Sequence, residues 1–438
     1  MEPEMFERAK NYLSDYIRID TTVPPGNTGN ACDFLGRVFS SASIPFKTFE
    51  SAPGKVNFLA KMEGSGEKAP IIFLNHLDVV PADPGKWNYP PFGGKIEDGF
   101  LYGRGTIDMK CLAVFEMMAF LHLKENNITP NRDVYFLGTC DEEIGGELGA
   151  KWMAEHVKEL QEAEAVFNEG TPVLEDQQGR VNFISVDVSE KVMFQLRLHT
   201  SGVAGHASLP HSQNPNVKLV NALHAVVNCH PPYHITHTVK EYFKNRARIA
   251  PENLKNKYEN IEESLRNPVF VREFVKDSFH NAIVSNTISL TVLRGGGKVN
   301  VIPSESEAFV DIRLLPGVDP GVFQKYLEKV INNPEIKIEC YHSSEIAPES
   351  SITSDAYNAI KGIYEDEFKN VLVAPGLFPA CTDSRFFRSR GIDSYSFMPI
   401  KLPESEYKKL HGIDERISIE NINRGTRLTT ELLLKMAT

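Results

Sequence analysis

Short apolar runs separated by segments of helical spacing constrain this chain most. Runs at 56–60, 71–74, 134–137 and 165–167 alternate with helix-like stretches at 31–43, 110–124 and 147–160. Strands that alternate with helices build an α/β layer, with a largely parallel or mixed sheet covered by the helices. Near Glu190 the pattern changes. KVMFQLRLHT, TISLTVLRG and SEAFVDIRL alternate apolar and polar positions, as strands with one wet face do. Helical patterns at 217–230 and 320–332 accompany them, and a last strand is expected near 336–341. From about 350 the first pattern returns, with strands in NVLVAP and DSYSFMP and a closing helix in ISIENINRGTRLTTELLLKMA. The expected fold class is therefore α/β. A discontinuous catalytic domain over 1–190 and 346–438, with a mixed central sheet, carries an inserted, smaller α+β lid or dimerisation domain over 191–345. Within the insert, residues 231–280 are polar and helical in pattern and read as an extra insertion.

Composition narrows the function classes. The formal net charge is −11 over 438 residues, which argues against a polyanion-binding surface, so no nucleic-acid partner is expected. Six scattered cysteines form no CxxC pair and read as reduced thiols. The first residues, MEPEMFERAKNYLSDYIRID, lack the basic start and apolar core of a signal peptide and place Met5, Ala9, Leu13 and Ile17 near helical spacing. The longest apolar stretch, CLAVFEMMAFLHL, is too short for a bilayer and carries Glu116. A cytoplasmic address with no membrane partner is expected.

Open α/β sheets place ligands at the carboxyl ends of their strands, and the unusual residues of this chain collect there. IIFLNHLDVV ends in Asn75-His76-Leu77-Asp78; VYFLGTC runs into Asp141-Glu142-Glu143; AVFNEG contains Glu169. YGRGTIDMK offers Asp108 just before a helix, and KKLHGIDE supplies His411. Singly, each has an ordinary reading: a hydrogen-bonded core histidine, a solvated acidic loop, a helix cap. Jointly they do not. Clustered carboxylates beside apolar strands repel unless a cation neutralises them, and mixed His/Asp/Glu ligands suit zinc, less often manganese or cobalt.

Several motifs then follow one another in order: N-H-L-D-V-V-P at 75–81, W-x-x-x-P-F with G-R-G-x-x-D-x-K over 87–110, D-E-E-x-G-G at 141–146 and N-E-G at 168–170. G-H-A-S at 205–208, N-V-I-P at 300–303, T-D-S-R at 382–385 and H-G-x-D-E at 411–415 complete the set. On these motifs the chain resembles the zinc-dependent exopeptidase and amidohydrolase family that includes aminoacylase-1, glutamate carboxypeptidase, succinyl-diaminopimelate desuccinylase, acetylornithine deacetylase and carboxypeptidase S. Its style is nearest the carboxypeptidase S and N-acyl amino acid hydrolase branch.

The resemblance implies two Zn2+ per chain, with Co2+ or Mn2+ as substitutes. His76 and Glu169 would hold one ion, Glu143 and His411 the other, and Asp108 would bridge them. Asp78 would hydrogen-bond the second nitrogen of His76, Glu142 would be the general base, and the Asp108–Met109 peptide would be cis. His206 and Asn300 match residues that reach a partner subunit's active site and stabilise the oxyanion, although GxxGHAS also reads as a tight turn. Arg313 matches a lid arginine for the substrate carboxylate, a role that Arg385 fits as well. The implied reaction is hydrolysis of an amide bond next to a free carboxylate, in a small-molecule substrate that is an N-acyl amino acid or a short peptide. Aminoacylase and carboxypeptidase or dipeptidase activities both stay open, as does a non-catalytic binding module, and a homodimer through the lid domain is expected. Tyr233, Phe243, Phe270 and Phe274 of the extra insertion either extend an acyl pocket or pack the insertion down. Trp87 and Phe92 read as packing rather than pocket.

Overall fold

A computed structural model describes residues 3–438. By internal contacts the chain divides into two compact units, one of residues 1–188, 349–376 and 382–438, the other of 189–348 and 377–381.

The first unit is built on a six-stranded sheet in the order Phe46–Ala52, Lys55–Met62, Val134–Thr139, Ile71–His76, Ala165–Asn168, Asp393–Ser396. The first two pairings are antiparallel and the other three parallel, which makes the sheet mixed. Side chains alternate across it. Phe58, Ile71, Phe73, Phe136 and Phe167 turn to the face buried by the helices Pro3–Ile17, Gly29–Ser41, Lys110–Glu125, Asp355–Glu367 and Ile419–Ala437. Leu59, Ile72, Leu74, Leu137 and Val166 turn to the other, packing on Ala150–His156 and Ser384–Arg388. Lys110–Glu125 is buried nearly all round, hence its apolar sequence without a polar face. The helix expected over 147–160 is two pieces, Ala150–His156 and a 3-10 stretch Lys158–Glu162, because Val157 takes extended geometry between them.

The second unit is a four-stranded antiparallel sheet in the order Thr287–Arg294, Glu305–Leu314, Val192–Ser201, Lys337–Ser343. Phe194, Leu196, Leu198, Val310 and Ile312 face the helices Pro215–Val227 and Pro320–Ile331, packing against Leu219, Leu223, Phe323 and Leu327. The opposite face carries ion pairs, among them Arg197 with Glu307 at 2.8 Å and with Glu339 at 3.2 Å. This is the period-two pattern of the sequence made visible.

The extra insertion folds into short helices, His237–Ala247, Glu252–Glu259, Ile261–Ser264, Pro268–Phe274 and Ser278–Val284. Thr236, Asn267 and Asp277 cap three of them by accepting from Val239 N, Val269 N and His280 N. Phe243, Phe270 and Phe274 are buried, and His280 stacks on Phe274 with ring centroids 5.8 Å apart. These rings pack on one another and on Tyr258 within the insertion, while Tyr233 stays 36% exposed. Among the described residues, no helix is long and apolar enough to cross a membrane.

Candidate metal centre

The parallel strands bring their carboxyl ends to one edge of the sheet, and three of them deliver side chains there. Ile71–His76 ends in His76, Ala165–Asn168 is followed by Glu169, and Val134–Thr139 leads into the turn Asp141–Gly146. Asp108 comes from the loop before Lys110–Glu125, and His411 from the loop before Arg416–Ser418.

These residues form two overlapping clusters, His76/Asp108/Glu169 and Asp108/Glu143/His411, with ligand atoms inside each within 4.8 Å of one another. Asp108 belongs to both. Its Oδ1 lies 2.9 Å from His76 Nε2 and its Oδ2 lies 2.9 Å from His411 Nε2. Glu169 Oε1 is 3.7 Å from His76 Nε2, and Glu143 Oε2 is 3.3 Å from His411 Nε2. The Asp108–Met109 peptide is cis, and Met109 Sδ accepts from His76 N.

The electrostatics match this crowding. Burial and then the Asp108 charge push Glu169 and Glu143 above the usual carboxylate range. Burial and the Glu169 charge do the same to Glu142. Burial works against ionisation of Asp108 too, yet the hydrogen bonds from His411 and His76 hold it well below its ordinary value. The same contacts with Asp108 and Glu143 raise His411 to about 10. Several buried carboxylates in mutual repulsion need a cation. Glu143 Oε1 is moreover buried with no hydrogen-bond partner, as an oxygen reserved for a metal would be. Two imidazoles and three carboxylates suit zinc, so the residues present fit a dizinc centre.

Asp78 meets the second nitrogen of His76 through its backbone rather than its side chain. His76 Nδ1 donates to the backbone carbonyl of Asp78 at 2.9 Å, while the carboxylate is 3.6 Å away. That carboxylate accepts from Glu142 N at 3.1 Å and Glu143 N at 3.2 Å, so it fastens the turn that carries both glutamates. The turn needs its glycines. Gly146 has φ +67°, and a Cβ there would lie 2.4 Å from Asp383 Oδ1 and 2.7 Å from Phe386.

Arg385 is 2% exposed; its guanidinium donates to Gly145 O at 2.7 Å and to Thr382 O, so it braces the same turn. Trp87 is half-buried against the Arg104 guanidinium, 5.3 Å from its ring centroid.

In the second unit, His206 and Asn300 come together. Gly205–His206 pairs with Val301–Ile302, and Ala207 N donates to Asn300 O at 3.1 Å. His206 is exposed, and its Nδ1 is held by Ser208 N and Oγ. Arg313 stands on the open face of Glu305–Leu314, where Nε donates to Asp311 Oδ1 at 2.8 Å and Nη1 contacts Cys381 Sγ at 3.6 Å.

Sequence reasoning assigned no role to Arg104, Glu415, Asn75 or Glu116. Asn75 Nδ2 donates to the buried Glu116 carboxyl at 2.7 Å, one residue before His76. Arg104 and Glu415 stand inside motifs already singled out, G-R-G and H-G-x-D-E, which was the available signal.

Comparison with known proteins agrees with this geometry. Residues 72–435 match peptidase family M20/M25/M40. The chain is 32% identical over 359 residues to a probable carboxypeptidase S-like protein of Dictyostelium discoideum, covering 80% of this chain and 69% of that one. It is 31% identical over 395 residues to the N-fatty-acyl-amino acid synthase/hydrolase of Xenopus tropicalis, covering 88% and 75%. Mouse aminoacylase-1 is 26% identical over 442 residues, covering 100% and 97%. In fold it is similar to an M20 family metallo-carboxypeptidase from Sulfolobus solfataricus, with TM-score 0.76 at 20% identity over 99% of both chains. With that family match spanning most of the chain and both ligand clusters assembled on its sheet edge, the chain belongs to peptidase family M20/M25/M40 and is a zinc metallohydrolase.

Proposed function

We propose that the protein hydrolyses the amide bond of an N-acyl amino acid beside its free carboxylate, with Glu142 as general base. The observation that carries this is the place of Glu142: next in sequence to a ligand, beside Glu169 and His76 electrostatically, and itself in neither ligand cluster. In this reading His76 and Glu169 hold one zinc, Glu143 and His411 the other, and Asp108 bridges. A zinc pair, when bound, supplies Lewis acidity toward the substrate carbonyl and acidifies water. Glu142 takes the proton of the attacking water and returns it to the leaving amine. Asp78 keeps Glu142 and Glu143 at fixed spacing through their amides.

His206 and Asn300 are assigned to the tetrahedral oxyanion and Arg313 to the substrate carboxylate, which must then compete with Asp311. Arg385, spent on two carbonyls, serves the carboxylate less well. The inserted unit acts as the lid and as the contact with a second copy, for which Val217 and Val220 on Pro215–Val227 and Leu293 on the edge strand offer exposed aliphatic surface. The six free cysteines are in keeping with a cytoplasmic address. The names of the frog and mouse relatives favour the acyl amino acid, and that of the Dictyostelium relative favours a carboxypeptidase as the second reading.

The test is a hydrolysis screen on zinc-loaded protein. N-acetyl and long-chain N-acyl amino acids are compared with unblocked dipeptides and blocked peptides, and Glu142→Ala is the control. Release of amino acid from the acyl panel is expected, with turnover down by about 10²–10⁴-fold and metal content unchanged in Glu142→Ala. Cleavage of blocked peptides alone would replace the first reading by the second. A single-chain mass in light scattering of the same preparation would remove the dimer.

A further inference from the structure

The two sets of metal ligands are held very differently. His76 and Glu169 stand at the ends of parallel strands, and His76 is 1% exposed. His411 stands in a loop with φ +60° and a side chain 47% exposed, and no strand carries it. Something else must set His411 against Asp108, and one buried ion pair is placed to do so.

The Glu415 carboxylate is wholly buried and Arg104 is 2% exposed. Glu415 Oε1 accepts from Ile107 N at 2.7 Å and from Asp108 N at 3.3 Å, which fastens the backbone of the bridging aspartate. Glu415 Oε2 accepts from Arg104 Nη1 at 2.5 Å. The other arm of the fork, Nη2, donates to Gly412 O at 2.9 Å, the carbonyl next after His411, and reaches Pro81 O at 3.4 Å beyond the His76–Asp78 segment. Gly103 N closes the ring by donating to Glu415 O at 3.0 Å. One carboxylate and one guanidinium thus tie the Asp108 loop to the His411 loop with hydrogen bonds on both sides. A planar fork is needed for this, since a lysine is a point charge and cannot serve Glu415 and Gly412 together.

Buried ion pairs are weak devices for stability, because desolvation cancels most of the attraction; their better use is to specify one arrangement. We propose that Arg104 and Glu415 are positioning residues that hold His411 in register with Asp108 and so set the affinity of the His411-side metal. The inference rests on the two-metal reading above. It differs in kind from a general packing role because it predicts asymmetry. When the pair is broken the Asp108/Glu143/His411 site loses the tie on His411 as well as that on Asp108, whereas the other site shares only the Asp108 part and keeps His76 and Glu169 at their strand ends.

The experiment is a zinc titration against a competing chelator on the full chain, comparing unsubstituted protein with Arg104→Lys and Glu415→Gln. Two zincs bound by the unsubstituted protein secure the reading on which the inference depends; fewer would sink that reading rather than the pair's role. Arg104→Lys frees Gly412 O but leaves Glu415 on the Ile107 and Asp108 amides; the first zinc is expected to bind as before and the second about 10–100-fold more weakly, the usual cost of removing a group that orients a ligand. Glu415→Gln keeps an acceptor for the two amides and should show the same asymmetry to a smaller extent. Equal weakening at both sites, or no weakening beside a lowered melting temperature, would overturn the proposal. Amide exchange in metal-free unsubstituted protein gives an answer that needs no variant. The Ile107 amide should be protected before any zinc is added, and exchange there at open-loop rates would equally overturn it.

Discussion

The carboxyl edge of the six-stranded sheet and the open face of the four-stranded one are both rich in charge, and they use it in opposite ways. At the first, Asp78 and Glu415 are fully buried, and their carboxylates accept backbone amides of the very turns that carry ligands. At the second, Arg197 pairs across strands with Glu307 on one side and Glu339 on the other, at the surface. A charge sunk among backbone donors specifies a geometry, because removing it leaves those donors unsatisfied in a low-dielectric interior. A charge paired at the surface specifies little, because water replaces its partner at small cost. The difference explains how one chain carries many ion pairs of which few concern the chemistry.

Breaking the comparison at its buried end should have the largest effect. Asp78→Ala strips the acceptor from two amides, each costing about 1–3 kcal/mol when left unpaired and buried. It should lower the melting temperature and weaken zinc by about 10–100-fold in a chelator titration. Unchanged zinc affinity would mean that the turn at Glu142 and Glu143 holds itself.

An intermediate case lies in the extra insertion, where Asp277 caps Ser278–Val284 and its Oδ2 is 3.0 Å from His280 Nδ1. The hydrogen bond from His280 holds the Asp277 carboxyl at about 2, below its ordinary 3.8. A depressed acid contributes stability above its unfolded pKa and loses that contribution as the pH falls through the folded one. Asp277→Asn should therefore lower the melting temperature at pH 7, and the gap from unsubstituted protein should narrow from about pH 4 downward. A gap that is constant with pH would reduce Asp277 to its capping role. At the surface end, Arg197→Ala should leave the melting temperature, the zinc content and the pH profile unchanged within error. A clear shift in any of these would put the open face on the same footing as the buried edge.

Much of this was legible in the chain. His76, Asp108, Glu143, Glu169 and His411 were singled out from their positions at strand ends and glycine-rich loops, and the structure gathers all of them into two clusters that share Asp108. The apolar runs at 71–74 and 134–137 became neighbouring parallel strands, because a continuous apolar run is what a strand buried on both faces requires. Other elements were not legible. The strand Phe46–Ala52 is largely exposed, with Lys and Glu among its seven residues, and owes its place to pairing with Lys55–Met62. Val157 divides a helix that periodicity would run through.

Local patterning thus settled which residues are buried, where strands end and which side chains are suited to metal, since burial periodicity and donor chemistry are properties of a few neighbouring residues. It was silent on what holds those side chains still. The Asp78 carboxylate serves amides 64 and 65 residues away, and Arg104 meets Glu415 across 311. Arg385, chosen from its motif for a substrate carboxylate, faces the Gly145 carbonyl 240 residues off. Partners so distant in the chain meet through the packing of the sheet and its loops, and no period or motif within a single segment encodes which of them will do so.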